Sequence, residues 1–565
     1  MRKERAYVFD FDPARTLIIF DEFANNLSPE TADGRGTGAV RETNIRRLLN
    51  FFPVLGEDDA GRMVQLDAAQ VLSIPRRLKS MEVVRRGFLS NFLFQNIGNV
   101  FGAPAIVREI MEKLTPAQEE TRKNNAPPLD DLSSVAVDEN GDVAISNEIV
   151  IGQTRDIFGA KHYAEIEEHI APHIDCISVS DGAAAVQASM EQLAATVKEK
   201  VCAEIVSPVA DAYEVKAGVR KRLQEQTERE IDRRLEELRG DYVQKENIAR
   251  AELERQRSTA ETQAEVQAAE ESFDAHIAEA LDALKASAAV VVKETIENKP
   301  AELVERMERV KAEEKKRTVE DEVRARLRGF SRTIPSFIMA YGDENMTLAN
   351  FDDYTDDDVF EEVTGISEED FRFLRDGGTY RNPETGAEEQ FAGHIFDEVV
   401  FNDSIAEFWR KKEELANYFD EGHTEDIFDY IPPQKTNQIF TPRCVVRQMV
   451  DALERENPGC FDDPTHTFAD LYMKSGLYIT EIVKRLYHSD KIKAEYPNDA
   501  ERIRHILQHQ VYGMAPTRII YLIATNYILG FDAAMRAETR NFVQADAAQA
   551  AKEGRLAELV EEHFG

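Results

Sequence analysis

The chain has 565 residues, 42% hydrophobic and 31% charged, with 30 Phe and 16 Tyr; this excludes wholesale disorder and points to about three or four domains. Its formal net charge of −37 opposes non-specific attraction to DNA, so any duplex contact must use local basic patches or a partner's surface. Cys176, Cys202, Cys444 and Cys460 form no CxxC pair. There is no signal peptide, and no apolar run approaches the length of about eighteen residues that a membrane span needs, so the expected compartment is the cytoplasm.

In chain order, Ala6–Phe11 reads as a short strand ended by Asp12-Pro13, and Leu17–Phe23 as a helix face or a second strand. Gly34-Arg35-Gly36 lies in a polar loop. Asn50–Val54 and Met63–Leu66 read as short strands around a turn at Gly56–Gly61. Arg76, Arg77, Lys79, Arg85 and Arg86 form the densest basic group of this part. They read either as phosphate contacts that position double-stranded DNA or as a solvated helix surface or domain interface. The stretch 124–152 is a linker or edge hairpin. His162, His169 and His173 follow in a helical pattern that Pro172 should break or kink. They read as polar surface, and no metal site is expected.

Asp181–Arg328 is rich in Ala, Glu, Lys, Arg and Gln, all strong helix formers, and only Pro208 and Pro300 interrupt it. Apolar positions such as Ile231, Leu235 and Leu238 recur at threes and fours, which predicts long helices or a coiled arm. Through Arg255–Glu270 that seam shrinks to alanine. The acidic, aromatic stretch Phe351–Asp429 follows. In it Phe371, Phe373 and Leu374 are expected in a core, and Trp409 in a helix with Phe408 and Phe419; Pro432-Pro433 marks the next boundary.

The last segment predicts a helix over Pro442–Glu456, with Thr441 as its cap and Pro442 at its first position. A strand near Thr467–Asp470 then turns sharply into a helix reaching Leu486. A second strand at Val511–Tyr512 leads into a helix through Leu529, and Thr539–Phe564 reads as polar and helical. Strand–turn–helix twice is the opening of an open α/β sheet. Gly476 tolerates the turn and leaves room for a ligand at the backbone. Free amides at the helix start suit a carboxylate, and Asp470 a ligand ammonium. Lys474-Ser475 is not a P-loop, because the Gly-rich arc is missing.

The helix beginning at Thr441-Pro442, followed by the turn Asp470-Leu471-Tyr472-Met473-Lys474-Ser475-Gly476, resembles the start of the N6-adenine DNA methyltransferases of restriction–modification enzymes. The resemblance implies S-adenosyl-L-methionine as cofactor, held by Thr441, Pro442, Asp470, Lys474, Ser475 and Gly476. Leu471 to Lys474 depart from the family's small and glycine residues, and Gly513-Met514-Ala515-Pro516 offers no acid for ribose hydroxyls. The family's catalytic Asn/Asp-Pro-Pro-Tyr/Phe element occurs nowhere in the chain. The catalytic residues are therefore unknown, and this chain alone is expected to be inactive.

Tyr7–Leu17 and Asn50–Val54 resemble sequence just downstream of the second motor domain in helicase-like restriction enzymes, a likeness covering about Tyr7–Pro104. No Walker A element accompanies it, and Asp21-Glu22-Phe23 is no Walker B, so ATPase activity is not expected.

The expected architecture is multidomain, mainly α with α/β parts, with a long helical arm and a C-terminal incomplete Rossmann-like methyltransferase domain. Its segments are a post-helicase α/β part (1–113), a linker and small helical part (114–180), the arm (181–329), an acidic connector (330–433) and the methyltransferase opening (434–565). The implied partners are DNA and the missing motor and methyltransferase segments or a companion restriction subunit. The other reading is a non-catalytic scaffold that binds DNA or a partner.

Overall fold

The computed structural model describes residues 38–49, 55–57, 63–65, 68–116, 132, 135–138, 141–159, 161–178, 183–382, 385–420, 422–423, 425–432, 440–530 and 538–565. The expected elements at 6–11, 17–23 and 50–54, with Asp21-Glu22-Phe23 and Arg35, lie outside these residues. The described chain is mainly helical. It divides into two compact units, residues 135–317 and the remainder. No helix among the described residues is long and apolar enough to cross a membrane.

The first described elements are α1 (Gly38–Leu49), an antiparallel hairpin of β1 (Leu55–Glu57) and β2 (Met63–Gln65), α2 (Ala68–Arg85) and α3 (Pro104–Lys113). The unit 135–317 then holds α4 (Asn147–Ile157), α5 (His162–Asp175), α6 (Ala183–Val201), α7 (Ser207–Ala212), α8 (Ala217–Thr259) and most of α9 (Gln263–Ser331). One apolar core joins Ile166 and Ile170 of α5, Met190 and Leu193 of α6, Ile231 and Leu235 of α8, and Leu284 and Val292 of α9. These are the threes-and-fours positions of the sequence, turned to one side. The rims of α8 and α9 are tied by Arg234–Glu294 at 2.5 Å and Lys299–Glu230 at 2.6 Å.

One proline expectation is corrected: Pro300 lies inside α9 without interrupting it, while Pro172 lies in the last turn of α5 and does not break it. A proline in a helix interior costs about 3 kcal/mol, and Pro300 is offset by buried neighbours: Leu303, Val304, and Lys299 paired to Glu230 and Glu302. The break between the long helices falls instead at 260–262. There Thr262 and Glu265 satisfy each other's backbone amides, Glu265 N to Thr262 Oγ1 at 3.3 Å and Thr262 N to Glu265 Oε2 at 3.1 Å. That is the reciprocal cap of a new helix start. Where the seam fades to alanine, a cleft of about 680 Å³ opens, lined by Ile248, Ala249, Ala280 and Ala283.

The other unit continues through α10 (Ile334–Ala340), α11 (Asp357–Thr364), α12 (Glu368–Asp376), an antiparallel hairpin of β3 (Gly378–Arg381) and β4 (Glu388–Phe391), and α13 (Glu398–Leu415). The sequence reading did not anticipate this hairpin. Its core is phenylalanine: Phe330 stacks on Phe371 at 5.3 Å, and Phe337 meets Phe351 edge-on at 5.4 Å. Phe371 and Leu374 are fully buried as expected; Phe373 is half-buried against Phe391. Trp409 and Phe408 share α13, but Phe419 lies beyond its end and stacks on Tyr418.

A buried charge cluster clamps this core. Asp352 accepts from Arg372 and Arg375, and Arg372 also pairs with Glu368 at 2.8 Å. Burial, followed by the neighbouring Asp357 carboxyl, pushes Glu368 up to about 7, against the pull of Arg372. A value raised on folding adds stability at acid pH that is lost as pH rises through about 7. Glu368→Gln should therefore melt higher than the wild type at about pH 8, with the gap closing towards about pH 5; a gap that ignores pH in thermal scans rejects this. Phe371→Ala should cost about 3–5 kcal/mol in urea unfolding.

Candidate ligand turn at the carboxyl end of a parallel sheet

The last part comprises α14 (Arg443–Glu456), β5 (Phe468–Asp470), α15 (Leu477–His488), α16 (Asp490–Glu495), α17 (Asp499–His505), β6 (Val511–Ala515), α18 (Arg518–Ile528), β7 (Phe542–Gln544), α19 (Ala547–Lys552) and α20 (Leu556–Phe564). The strands form one parallel sheet in the order β5-β6-β7. Asp470 lies opposite Gly513, and Ala515 opposite Gln544. Each return between parallel strands passes through helices, as parallel pairing requires.

The turn after β5 is built residue by residue. Asp470 Oδ1 accepts from the Tyr472 amide at 3.1 Å, folding the chain back at the strand end. Burial pushes the Asp470 carboxyl up, and that amide draws it partly back. The Met473 amide donates to Met514 O at 2.7 Å, and the Met473 side chain is fully buried. Its sulfur lies where a side chain on Gly513 would begin, 2.8 Å from that Cβ position. Tyr472 points the other way, 36% exposed, with Lys474 Nζ 5.7 Å from its ring centre. Buried Ser475 accepts from the Leu477 amide at 3.3 Å, which serves one of the open donors at the start of α15.

Gly476 has φ +82°, the left-handed region that favours glycine. Its α-carbon does not face open space: a Cβ there would stand 2.9 Å from Ile528 Cγ1 and 3.2 Å from Ala524 O. The room expected for a ligand at this glycine is taken by α18, and the glycine serves close packing of α15 on α18. Thr441 is also displaced from its expected role. The cap position of α14 is Pro442, which makes no side-chain cap bond, and Thr441 precedes it by one residue.

The sequence-predicted cofactor residues are joined through helix packing. α14 lies along α15, held by Arg485 to Asp451 at 2.5 Å and to Glu454 at 3.0 Å, and by the Tyr478 hydroxyl to Met449 Sδ at 2.8 Å. At the start of α14, Phe440 meets Phe428 at 5.0 Å and Phe428 meets Tyr527 at 4.9 Å, one residue before the Ile528 that abuts Gly476. The ends of all three strands face the same way. Beyond β6 come Pro516 and Thr517, and Thr517 Oγ1 is buried without a hydrogen-bond partner. Beyond β7 comes Asp546, which caps α19 through Gln549 N at 2.9 Å. Sequence reasoning missed β7 and Asp546; the aromatic and β-branched pair Phe542-Val543 before a capping aspartate was the available signal.

The basic group of α2 is divided. Arg77 and Arg85 are exposed beside exposed Leu78 and Met81. Arg86 is exposed but pairs with Glu82 at 2.6 Å, and Arg76 is half-buried. Lys79 is 5% exposed, with its ammonium 5.9 Å from the Phe92 ring centre. His162 stacks on Phe158 and lies 2.8 Å from Glu204 O, while His169 is exposed. No cluster that could hold a metal ion occurs among the described residues. Comparison of the chain with protein-family models, curated proteins and solved structures gives no match.

Gly513→Ala should destabilise the chain by about 2 kcal/mol through its clash with Met473, and adding Met473→Ala should then cost less than Met473→Ala costs alone, so that the double variant loses less than the sum of the singles. Gly476→Ala should cost at least about 2 kcal/mol, from left-handed strain plus the clash with Ile528. Denaturant unfolding of the single and double variants checks both.

Proposed function

We propose that this chain carries the cofactor-binding opening of an N6-adenine DNA methyltransferase within a helicase-linked restriction–modification protein. S-adenosyl-L-methionine would lie at the carboxyl ends of the parallel strands. The observation that carries this reading is the juxtaposition at β5. Asp470 ends the first of three parallel strands, the chain turns directly into α15, and the Thr441-Pro442 helix lies along that same α15. In open α/β sheets ligands bind outside the carboxyl ends of the strands, beside the point where strand order reverses. Among the described residues the order β5-β6-β7 shows no such reversal, so the reading rests on the carboxyl ends of the strands alone, with Asp470 at that of β5.

The chemistry available is binding and orientation. The Asp470 carboxylate suits the ligand's ammonium, exposed Tyr472 offers a ring face at the mouth, and Lys474 suits a carboxylate or phosphate. Met473, turned into the core, leaves that mouth free. The methyl-transfer step needs a group that accepts from the flipped adenine's amine and a ring that stacks on the base. Without an Asn/Asp-Pro-Pro-Tyr/Phe element this chain supplies neither. DNA, the complementary half of the domain and a motor segment are the partners of this reading, and the cytoplasm its compartment. In it, Arg77, Arg85 and Arg86 are the exposed members of the basic group, Arg86 being paired with Glu82.

A second reading has its own observation. Ile528 fills the space at Gly476, and Met473 the space at Gly513, so the turn serves helix and sheet packing whether or not a ligand binds. The chain would then be a non-catalytic scaffold that associates with DNA or a partner.

Calorimetric titration of the full chain with S-adenosyl-L-methionine separates the two. Uptake that Asp470→Ala weakens at least about tenfold, or about 1.4 kcal/mol, supports the cofactor reading. No heat in the wild type, or equal affinity in the variant, rejects it. No methyl transfer to DNA is expected from the purified chain; incorporation of labelled methyl groups would contradict that.

A further inference from the structure

The cleft between α8 and α9 has no part in the cofactor reading. It holds about 680 Å³. α8 lines it with Lys245, Ile248, Ala249 and Glu252, and α9 with His276, Glu279, Ala280 and Ala283. Each set falls at i, i+3, i+4 and i+7 of its helix, the four-residue outline of a hole that a side chain of a facing helix can fill. A knob stands beside it: Ile248 is 63% exposed, more than any other large hydrophobic residue among those described. Exposed apolar bulk next to an open groove marks a surface made for another helix.

The charges on this face are also open. Exposed Lys245 makes no ion pair or hydrogen bond among the described residues. Glu252 accepts from Arg255 at 2.6 Å and from Gln256 at 2.8 Å, but both bonds fall on Oε1, which leaves Oε2 to a further donor.

The face is complementary to itself. Turned end for end about the point between Ile248 and Ala249, α8 sets Lys245 opposite Glu252 of the second copy, and Ile248 opposite its Ala249. The rim pairs Arg234–Glu294 and Arg257–Glu270 run α8 and α9 antiparallel, with Ile248 and Ala249 level with Glu279 and Ala280. The same turn therefore sets Glu279 opposite Ala280, and His276 opposite Ala283. Each larger side chain meets an alanine, and each α8 charge meets its opposite. Two copies side by side in the same direction would instead set Lys245 opposite Ala283, with no charge to answer it.

We propose that this face is an interface between two copies of the chain, docked end for end by a two-fold axis near Ile248. Burial of both Ile248 side chains drives the association. The two Lys245–Glu252 pairs set its register and direction. Such a two-fold contact uses the same patch on both copies and closes at the dimer. The proposal goes beyond the cofactor reading and does not depend on it.

Sedimentation equilibrium of the full chain should show reversible dimer formation at about 1–100 µM; a chain that stays monomeric throughout overturns the proposal, and the cleft then belongs to a different partner. Ile248→Glu, at an exposed helix position, should weaken the dimer at least about tenfold. Lys245→Glu and Glu252→Lys should each weaken self-association about tenfold, because each sets like charges opposite one another. Mixing the two charge variants should restore dimers to within about threefold of the wild type, since both pairs in the mixed dimer are then of opposite sign. A variant that merely misfolds cannot be recovered in this way. Wild-type association in any of the three variants, or no recovery on mixing, would overturn the proposal.

Discussion

The amide of Met473 donating to the carbonyl of Met514 is the contact on which the last part of the chain turns. It carries the turn sideways from β5 onto β6, beyond the last paired residue, and drives the methionine side chain down over Gly513. From that placement the rest follows. Tyr472, one residue earlier, is directed to the surface. Ser475 reaches the start of α15, and Gly476 is pressed into left-handed geometry against Ile528. Two glycines, on β6 and before α15, are thus fixed by what their neighbours occupy. A sulfur atom and an isoleucine stand where side chains would be.

The two units are stabilised by different means. In residues 135–317 the order comes from helix propensity and a single aliphatic seam, with ion pairs along the rims that contribute little individually. In the other unit a dense phenylalanine core sits beside a clamp of Asp352, Arg372 and Arg375. There the buried carboxylate is served by two guanidinium groups, as burial of charge demands. Asp426 departs from that rule within the same unit, with one oxygen unserved.

What the sequence made legible was whatever leaves a periodic trace. The helices over 443–456 and 518–528, and the seam through Ile231 and Leu235, could be read because their apolar residues recur at helical spacing. The strand at 468–470 could be read because it ends at an aspartate before a sharp turn. β7 could not, since its three residues sit between a polar lead and an alanine-rich helix, and its place is set by pairing with β6. Tertiary packing also overrode local signals at Pro300, while the helices part at 260–262, just before the Thr262–Glu265 cap that starts α9, where no proline stands. Of the candidate site, the residue types at Asp470, Ser475 and Gly476 were visible. The directions in which Tyr472 and Met473 face were not, because they depend on a strand forty residues away.

The alanine-lined cleft near the distal ends of α8 and α9 has a mechanical consequence. Over 280–307 the two helices share large aliphatic side chains, so bending one strains the other. Around 245–283 the cleft is lined by alanines alternating with Lys245, Glu252, Arg255, His276 and Glu279, with no large buried aliphatic side chain, and Ile248 projects into solvent. Stiffness should therefore fall steeply along the pair, leaving the tip as the compliant end of an otherwise rigid lever.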